Sequence, residues 1–175
     1  MHIVERSPKT SWLSFVAFRI AICLSIGAAF IGMRELQAQG ERVGDNSKAH
    51  DQVKKLLDTQ VESWNKGDLD GFMLGYWKSD ELTFFADNTV EKGYEALNQR
   101  YFKKYKADGK EMGKLTFSEV DIKLVSTTFV VVRGRWKVEK TTETRDGLYT
   151  LWMEKKPEGW RIIHDHSSAN ELPKK

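Results

Sequence analysis

Cysteine is almost absent from this 175-residue chain, and the one copy, Cys23, lies in an apolar N-terminal segment. The residues after position 38 therefore contain no thiol, which excludes disulfides, thiolate catalysis and cysteine-ligated zinc from that part of the chain. A lipid-attachment site at Cys23 would need a small residue before it, and Ile22 is large. A domain without cysteine suits an oxidising compartment.

Net charge is also low. The formal charge is +3, and four basic against two acidic residues before position 39 account for two of these charges, so the rest carries only +1. Such a balance gives no electrostatic case for nucleic-acid binding, which needs a clustered basic face. The short run Lys103, Lys104 and Lys106 is typical of a solvated helix face.

Residues 1–38 are predicted to be a signal peptide or an N-terminal membrane anchor. Residues 12–33 are mostly apolar and are interrupted by Arg19, and the cleanest apolar core, residues 20–31, has the length of a signal-peptide core and is short for a membrane span. Residues 36–38 provide an imperfect cleavage site. We expect an exported protein, periplasmic or secreted; anchoring by residues 12–33 is the alternative, and a cytosolic location is less favoured.

The remaining chain is predicted to be a linker over residues 39–46, one domain over residues 47–170 and a short tail over residues 171–175. Apolar residues recur at three- and four-residue steps from Ala49 to Trp64, which predicts an amphipathic helix of about five turns. Gly67 is placed to end this helix, and Asp68 to cap a short second one.

Downstream, the pattern changes from helical to strand-like. Two short strands are predicted over Leu82–Ala86 and Thr89–Glu91, and a third helix follows Gly93. Four longer segments with a period of two are predicted to be strands: Leu115–Val125, Phe129–Glu139, Leu148–Lys155 and Trp160–Ser167. Turns are expected at Ser126-Thr127, Asp146-Gly147 and residues 157–159. This order predicts an α+β fold in which a strongly curved antiparallel sheet wraps around three N-terminal helices and leaves a pocket at its open end.

Two stretches carry a family resemblance. The first is WNKGDLDGF, residues 64–72, followed by Tyr76 and by residues 92–94; the second is DGLYTLWMEKKPEGWRIIHDHSS, residues 146–168. Together they resemble the nuclear transport factor 2-like (NTF2-like) superfamily, and within it the SnoaL-like and DUF4440 group. The resemblance covers about residues 47–168 and implies a cystatin-like cone with a pocket, of a kind that commonly dimerises through its sheet.

The same superfamily contains ketosteroid isomerases, which share the turn at residues 65–71. That chemistry needs a proton-shuttling aspartate and a tyrosine that supports the enolate oxygen. Aligned on the shared turn, the family's tyrosine falls on Gln60 and its aspartate near Phe84 or Phe85. Neither phenylalanine can act as a base, so the sequence does not support classical isomerase chemistry.

A polar cluster, residues 164–168, ends the last predicted strand. Strict alternation would place His164 and His166 on one face with Trp160 and Ile162, and Asp165 on the other. The two histidines could ligate a metal, with Glu154 as a third ligand, but a hydrogen-bonded pair near the pocket mouth is favoured, and neither a metal nor a cofactor is predicted. A Ser-His-Asp triad is disfavoured because Asp165 and His166 would point to opposite faces.

The predicted pocket would suit a flat apolar ligand with one or two polar handles. The candidate lining residues are Gln60, Trp64, Tyr76, Tyr101, Trp136, Trp152, His164 and His166. Arg133 and Arg135 share a strand face and are expected to form ion pairs with neighbouring strands rather than to bind an anion.

The favoured hypothesis is an exported, non-catalytic domain that binds a small apolar molecule and dimerises. The alternative is a SnoaL-like isomerase, cyclase or hydro-lyase that acts by proton transfer on a hydrophobic carbonyl compound, with His166 as the base. An assembly role would follow if the sheet exposed Phe129, Val131 and Tyr149 on its outer face. No nucleic-acid partner is expected, and membrane contact is expected only through an uncleaved N-terminal segment.

Overall fold

The computed structural model describes residues 46–86 and 88–170. The predicted signal or anchor, most of the linker, Asp87 and the tail lie outside the described residues. The described residues all belong to one compact unit, Asp45–Lys175. Among them, no helix combines the length and the apolar character that a membrane crossing requires.

Within residues 46–86 and 88–170, three α-helices and a short 3₁₀ helix form the helical part. Helix α1 covers residues 46–65, α2 is Leu69–Met73, α3 is Tyr94–Tyr105, and the 3₁₀ turn is Ala107–Gly109. Gly67 has φ +73°, the left-handed conformation that ends α1, and the Asp68 carboxylate accepts a hydrogen bond of 2.9 Å from the Gly71 amide to cap α2. The predicted roles of Gly67, which ends α1, and of Asp68, which caps α2, are therefore confirmed.

Six strands form one sheet: β1 Thr83–Ala86, β2 Thr89–Lys92, β3 Lys114–Leu124, β4 Phe129–Glu139, β5 Thr144–Lys156 and β6 Gly159–Ser167. Their order is β2-β1-β6-β5-β4-β3. All neighbours are antiparallel except β1 and β6, which pair in parallel. The α+β class is as predicted, and the sheet is mostly rather than wholly antiparallel.

The turn predicted at Asp146-Gly147 is wrong, because both residues lie inside β5 and Gly147 pairs with Trp136 on β4. The chain turns earlier, where the Lys140 amide donates to the Glu143 carbonyl. Glycine is required at position 147 for another reason: a Cβ there would collide with the Ser168 carbonyl oxygen, which passes over it.

A β-bulge interrupts β6. His164 pairs with Trp152 and Ile162 pairs with Met153, so Ile163 is an extra residue with no partner of its own. Beyond the bulge the alternation is inverted. The predicted faces are therefore wrong from residue 164 onward, and His164 and His166 no longer share a face with Ile162.

The core lies between the helices and one face of the sheet, which we call the inner face. Its most completely buried members are Val53, Met73, Leu82, Leu97, Val130, Val132, Met153 and Ile162. Burying each such side chain contributes about 1.5–3 kcal/mol relative to leaving it exposed. Two residues of the WNKGDLDGF stretch fasten α1 to β3: the Trp64 indole donates to the Gly113 carbonyl at 3.1 Å, and the Asn65 side chain bonds both backbone groups of Leu115.

Candidate functional site

A cavity lies between the helices and the inner face of the sheet. Aromatic rings form much of its wall: Trp64 lies 4.7 Å from Tyr105 between ring centroids, and Tyr101 stacks on Tyr105 at 5.8 Å. The cavity has a volume of about 90 Å³, well above the roughly 10–15 Å³ that one water needs. The cavity is therefore large enough for a small organic molecule.

Asp165 contributes a carboxyl to the wall of this cavity. Its side chain is on the inner face because of the β6 bulge, and the residue is only 4% exposed. The Tyr76 hydroxyl donates to its Oδ2 at 2.8 Å, and the Ser167 hydroxyl donates to its Oδ1 at 2.7 Å. The Tyr76 and Tyr101 hydroxyl oxygens are 3.4 Å apart. A chain of hydroxyls thus surrounds one buried carboxyl.

Burial raises the pKa of Asp165 to about 6, while the hydrogen bonds from Ser167 and Tyr76 and the charge of His166 act in the opposite direction. Burial, and after it the charge of Asp165, raises the pKa of both Tyr76 and Tyr101 well above 10. At neutral pH the carboxyl is mostly ionised yet close to its titration point, and both tyrosines remain hydrogen-bond donors. A carboxyl of this kind can accept and return a proton near pH 7.

Tyr149 supplies a second polar group to the cavity wall. The residue is 4% exposed, and its buried hydroxyl has no hydrogen-bond partner among the described residues. The ring lies across Gly134 on the neighbouring strand, where a Cβ would come within 2.5 Å of the hydroxyl oxygen. Burial, then the charge of Asp165, raises the pKa of Tyr149, so it stays protonated. A buried donor without a partner is uncommon, and a ligand oxygen would satisfy it.

Five of the eight predicted pocket residues line the cavity: Gln60, Trp64, Tyr76, Tyr101 and Trp136. Gln60 is 2% exposed, and its amide nitrogen donates to the Phe72 carbonyl at 3.0 Å. That donor is already in use, so Gln60 does not replace the tyrosine of the ketosteroid isomerases.

The other three predicted residues, Trp152, His164 and His166, are absent from the cavity. They lie on the outer face of the sheet, where the His164 ring is 4.9 Å from Trp152 and 5.0 Å from Phe85. The Thr83 hydroxyl and His164 Nδ1 are 2.6 Å apart. His166 is exposed. The prediction of His166 as the catalytic base is therefore wrong. Because of the bulge at Ile163, Asp165 lies on the inner face and both histidines lie on the outer face.

The possible metal site formed by His164, His166 and Glu154 does not occur in the described residues either. Glu154 pairs with Lys156 at 2.7 Å instead of approaching the histidines. Across residues 46–86 and 88–170, no group of three or more His, Cys, Asp or Glu side chains could hold a metal ion. Arg133 and Arg135 form exposed ion pairs with Asp121 and Glu119, as the sequence suggested.

Sequence reasoning missed Asp165 and Tyr149 as cavity residues. The assembly hypothesis only named Tyr149 as a condition, on an exposed outer face. The residue shares the period-two pattern of the buried Leu151 and Met153, and this pattern could have located it on the inner face. No comparable signal existed for Asp165. A bulge adds one residue without leaving a characteristic sequence pattern.

Comparison with known proteins places the chain in a family. The model of the SnoaL-like domain matches residues 53–170. An NTF2-like protein of unknown function from Shewanella oneidensis MR-1 is 36% identical, with 68% of this chain and 98% of that chain covered and a TM-score of 0.64. No protein of curated function matches.

More distant structures share the fold alone. An NTF2-like superfamily protein from Salmonella enterica serovar Typhimurium is 19% identical, with 74% of this chain and 96% of that chain covered and a TM-score of 0.59. A putative scytalone dehydratase from Novosphingobium aromaticivorans is 12% identical, with 74% and 89% covered and a TM-score of 0.59. The chain belongs to the SnoaL-like domain family and has the NTF2-like, cystatin-like fold.

Proposed function

We propose that this domain catalyses proton transfer on a small, largely apolar carbonyl compound, with Asp165 as the group that takes up and returns the proton. One observation carries the proposal: a carboxyl that is only 4% exposed and has a pKa of about 6 lines an aromatic cavity. Carboxyls adjusted in this way are suited to general acid–base work near neutral pH.

The proposed step conserves atoms and electrons within the substrate. The Asp165 carboxylate takes a proton from the carbon next to the carbonyl. The C–H electron pair forms the new C=C bond, and the π pair of the carbonyl moves onto its oxygen to give the enolate. The Tyr149 hydroxyl, which has no partner among the described residues, donates a hydrogen bond to that oxygen. Asp165 then returns the proton to another carbon of the conjugated system, which gives an isomer without net oxidation or reduction.

Tyr76 and Ser167 are positioning residues in this scheme. Each donates to one carboxylate oxygen, so together they set the rotation of the Asp165 side chain. Each carboxylate oxygen has a further lone pair available for the proton. The raised pKa of Tyr76 keeps its own proton in place while Asp165 titrates.

The test uses cyclohex-3-en-1-one, whose isomerisation to the conjugated enone is followed by ultraviolet absorbance. Asp165→Asn should lower the enzyme-dependent rate by about 10²-fold or more, the range of general acid–base catalysis. Tyr149→Phe should lower it less. His166→Gln is the matched control, because it changes a residue of the same strand on the outer face. His166 lowers the pKa of Asp165 less than Ser167 and Tyr76 do, so this variant should change the rate far less than Asp165→Asn does. Equal losses in Asp165→Asn and His166→Gln would contradict the assignment.

A passive binding role remains the second candidate, and a specific observation favours it. Both oxygens of Asp165 already accept hydrogen bonds from the protein, as in a structural carboxyl. In that case the wild-type rate would equal the buffer rate, for cyclohex-3-en-1-one and for deuterium exchange into other small ketones. Small apolar compounds would still bind.

Dimerisation and export belong to the same proposal. The outer face of the sheet exposes Leu148, Trp152 and Phe85, which are 53%, 47% and 38% exposed, and such a surface supports pairing with a second copy. Export rests on the apolar pattern of residues 1–38. N-terminal sequencing of the protein recovered from cells would test it: a new terminus near residue 39 supports a cleaved signal, and an intact Met1 supports the anchor.

A further inference from the structure

We propose that the natural ligand is an amphipathic anion, with a flat apolar body in the cavity and a carboxylate held at the cavity mouth by Arg100 and Lys104. This inference deepens the proposed function by naming the substrate class. It rests on that function only in taking the cavity as the ligand site.

Two cations line the cavity on one helix face. Arg100 and Lys104 are one turn apart on α3, so their side chains project to the same side. Arg100 Nη1 lies 3.3 Å from the Glu91 carboxylate, and its guanidinium lies 5.5 Å from the centre of the Phe84 ring. The Glu91 contact uses one of the five N–H donors of the guanidinium, so others remain for a ligand.

Further positive charge lies near the Tyr105 ring. The ammonium groups of Lys104 and Lys140 lie 5.2 and 5.0 Å from the centre of the Tyr105 ring, which lines the cavity. The charge of Arg145 lowers the pKa of Tyr105 against the larger, raising effect of burial. Arg145 Nε is buried and has no hydrogen-bond partner in the described part of the chain. Four cations therefore converge on one ring.

Acidic groups also lie near these cations. Glu91 pairs with Arg100, and Glu143 acts on Tyr105 more weakly than either arginine. Asp165 is the carboxyl within the cavity itself, and above pH 6 it is mostly ionised. An anionic ligand would therefore place its charge at the mouth, beside the cations, and its neutral, reactive part beside Asp165.

The experiment compares two probes of the same shape, trans-cinnamate and trans-cinnamamide, by titration calorimetry at pH 7.5 and low salt. The aromatic body is the same in both, and only the carboxylate carries charge. We expect the wild-type protein to bind cinnamate about tenfold more tightly, because hydrogen bonds to an ionised acceptor are stronger than those to a neutral one, although solvent at the mouth screens part of this advantage. The preference should fall as the salt concentration rises.

Arg100→Gln and Lys104→Gln should each reduce the preference for cinnamate and leave cinnamamide affinity nearly unchanged. Lys103→Gln is the matched control: it removes the same charge from the same helix one residue away, at an exposed position outside the cavity lining. It should preserve the preference. Using both variants at the mouth keeps the test valid if one of them folds poorly.

Equal affinities for the two probes, no binding of either, or an equal loss in Lys103→Gln and Lys104→Gln would overturn the inference. Its failure is separable from failure of the proposed function through Asp165→Asn. That variant should keep or strengthen cinnamate binding, because it removes a negative charge, while it loses isomerase activity. Normal catalysis without an anion preference would reject only the ligand class, and an anion preference without catalysis would reject only the proton-transfer role.

Discussion

Replacing Asp165 with Asn should stabilise the folded domain at neutral pH and have little effect near pH 4. The pKa of this carboxyl is about 6 in the folded chain and 3.8 for an exposed aspartate. The folded state therefore holds the proton more tightly than the unfolded state does. As pH rises through this interval, the unfolded chain ionises first, and the free energy of unfolding of the wild-type protein falls.

The size of the effect follows from the same two values. Each unit of pKa difference corresponds to about 1.36 kcal/mol, so the buried charge costs the wild-type protein about 3 kcal/mol once pH exceeds 6. Asparagine does not titrate and therefore avoids this cost. Its amide oxygen can still accept from Tyr76, but Ser167 must turn to accept from the amide nitrogen, and we assign about 1 kcal/mol to this rearrangement at every pH. The net stabilisation at pH 7.5 is then about 2 kcal/mol.

Urea unfolding followed by tryptophan fluorescence between pH 4.5 and 8 measures the difference. The variant should gain stability relative to the wild-type protein as pH rises, and the gain should level off above pH 6. Asp51→Asn is the control for the same chemical change at an exposed position, and it should stay within about 0.5 kcal/mol of the wild type. A difference between Asp165→Asn and the wild type that does not change with pH, or that grows as pH falls, would refute the reasoning.

Other predictions test the surroundings of the cavity and the outer face. Tyr76→Phe removes a hydrogen bond that lowers the pKa of Asp165, so a carboxyl-carbon NMR titration should show a higher pKa; an unchanged value would mean that the hydroxyl does not support the charge. Gly147→Ala should destabilise the domain by about 2 kcal/mol in thermal or urea unfolding, because the new Cβ meets the Ser168 carbonyl, and a stability equal to the wild type would count against that close approach. Trp152→Glu should convert a dimer into a monomer in sedimentation velocity, whereas a wild-type protein that is already monomeric would remove the basis for a dimer through the outer face.

Local sequence patterns were sufficient to predict most of the helices and strands. Gly67 ends one helix because it adopts the left-handed backbone, and Asp68 begins the next because its carboxylate caps the Gly71 amide. Both interactions involve residues close in sequence. Apolar residues spaced three to four apart in a helix, or two apart in a strand, likewise show which side of the element is apolar. A segment of about ten residues is enough to contain this pattern. The helices, the strands and the family resemblance could therefore be inferred before any coordinates, and so could the aromatic part of the cavity, such as Trp64 and Tyr101.

The chemistry of the site depended on contacts between distant segments. The Ile163 bulge is set by how β6 fits β5 on one side and β1 on the other, and it decides whether Asp165 or the histidines enter the cavity. The sequence predicts a turn at Gly147 because glycine is common in turns, but glycine is also needed wherever another backbone segment passes closely. Only the position of the Ser168 carbonyl shows that the second reason applies here. The sequence alone determined which residues form the elements, because that information is local. The tertiary structure decided which polar groups face the cavity, because one extra residue in a strand reverses every side chain that follows it.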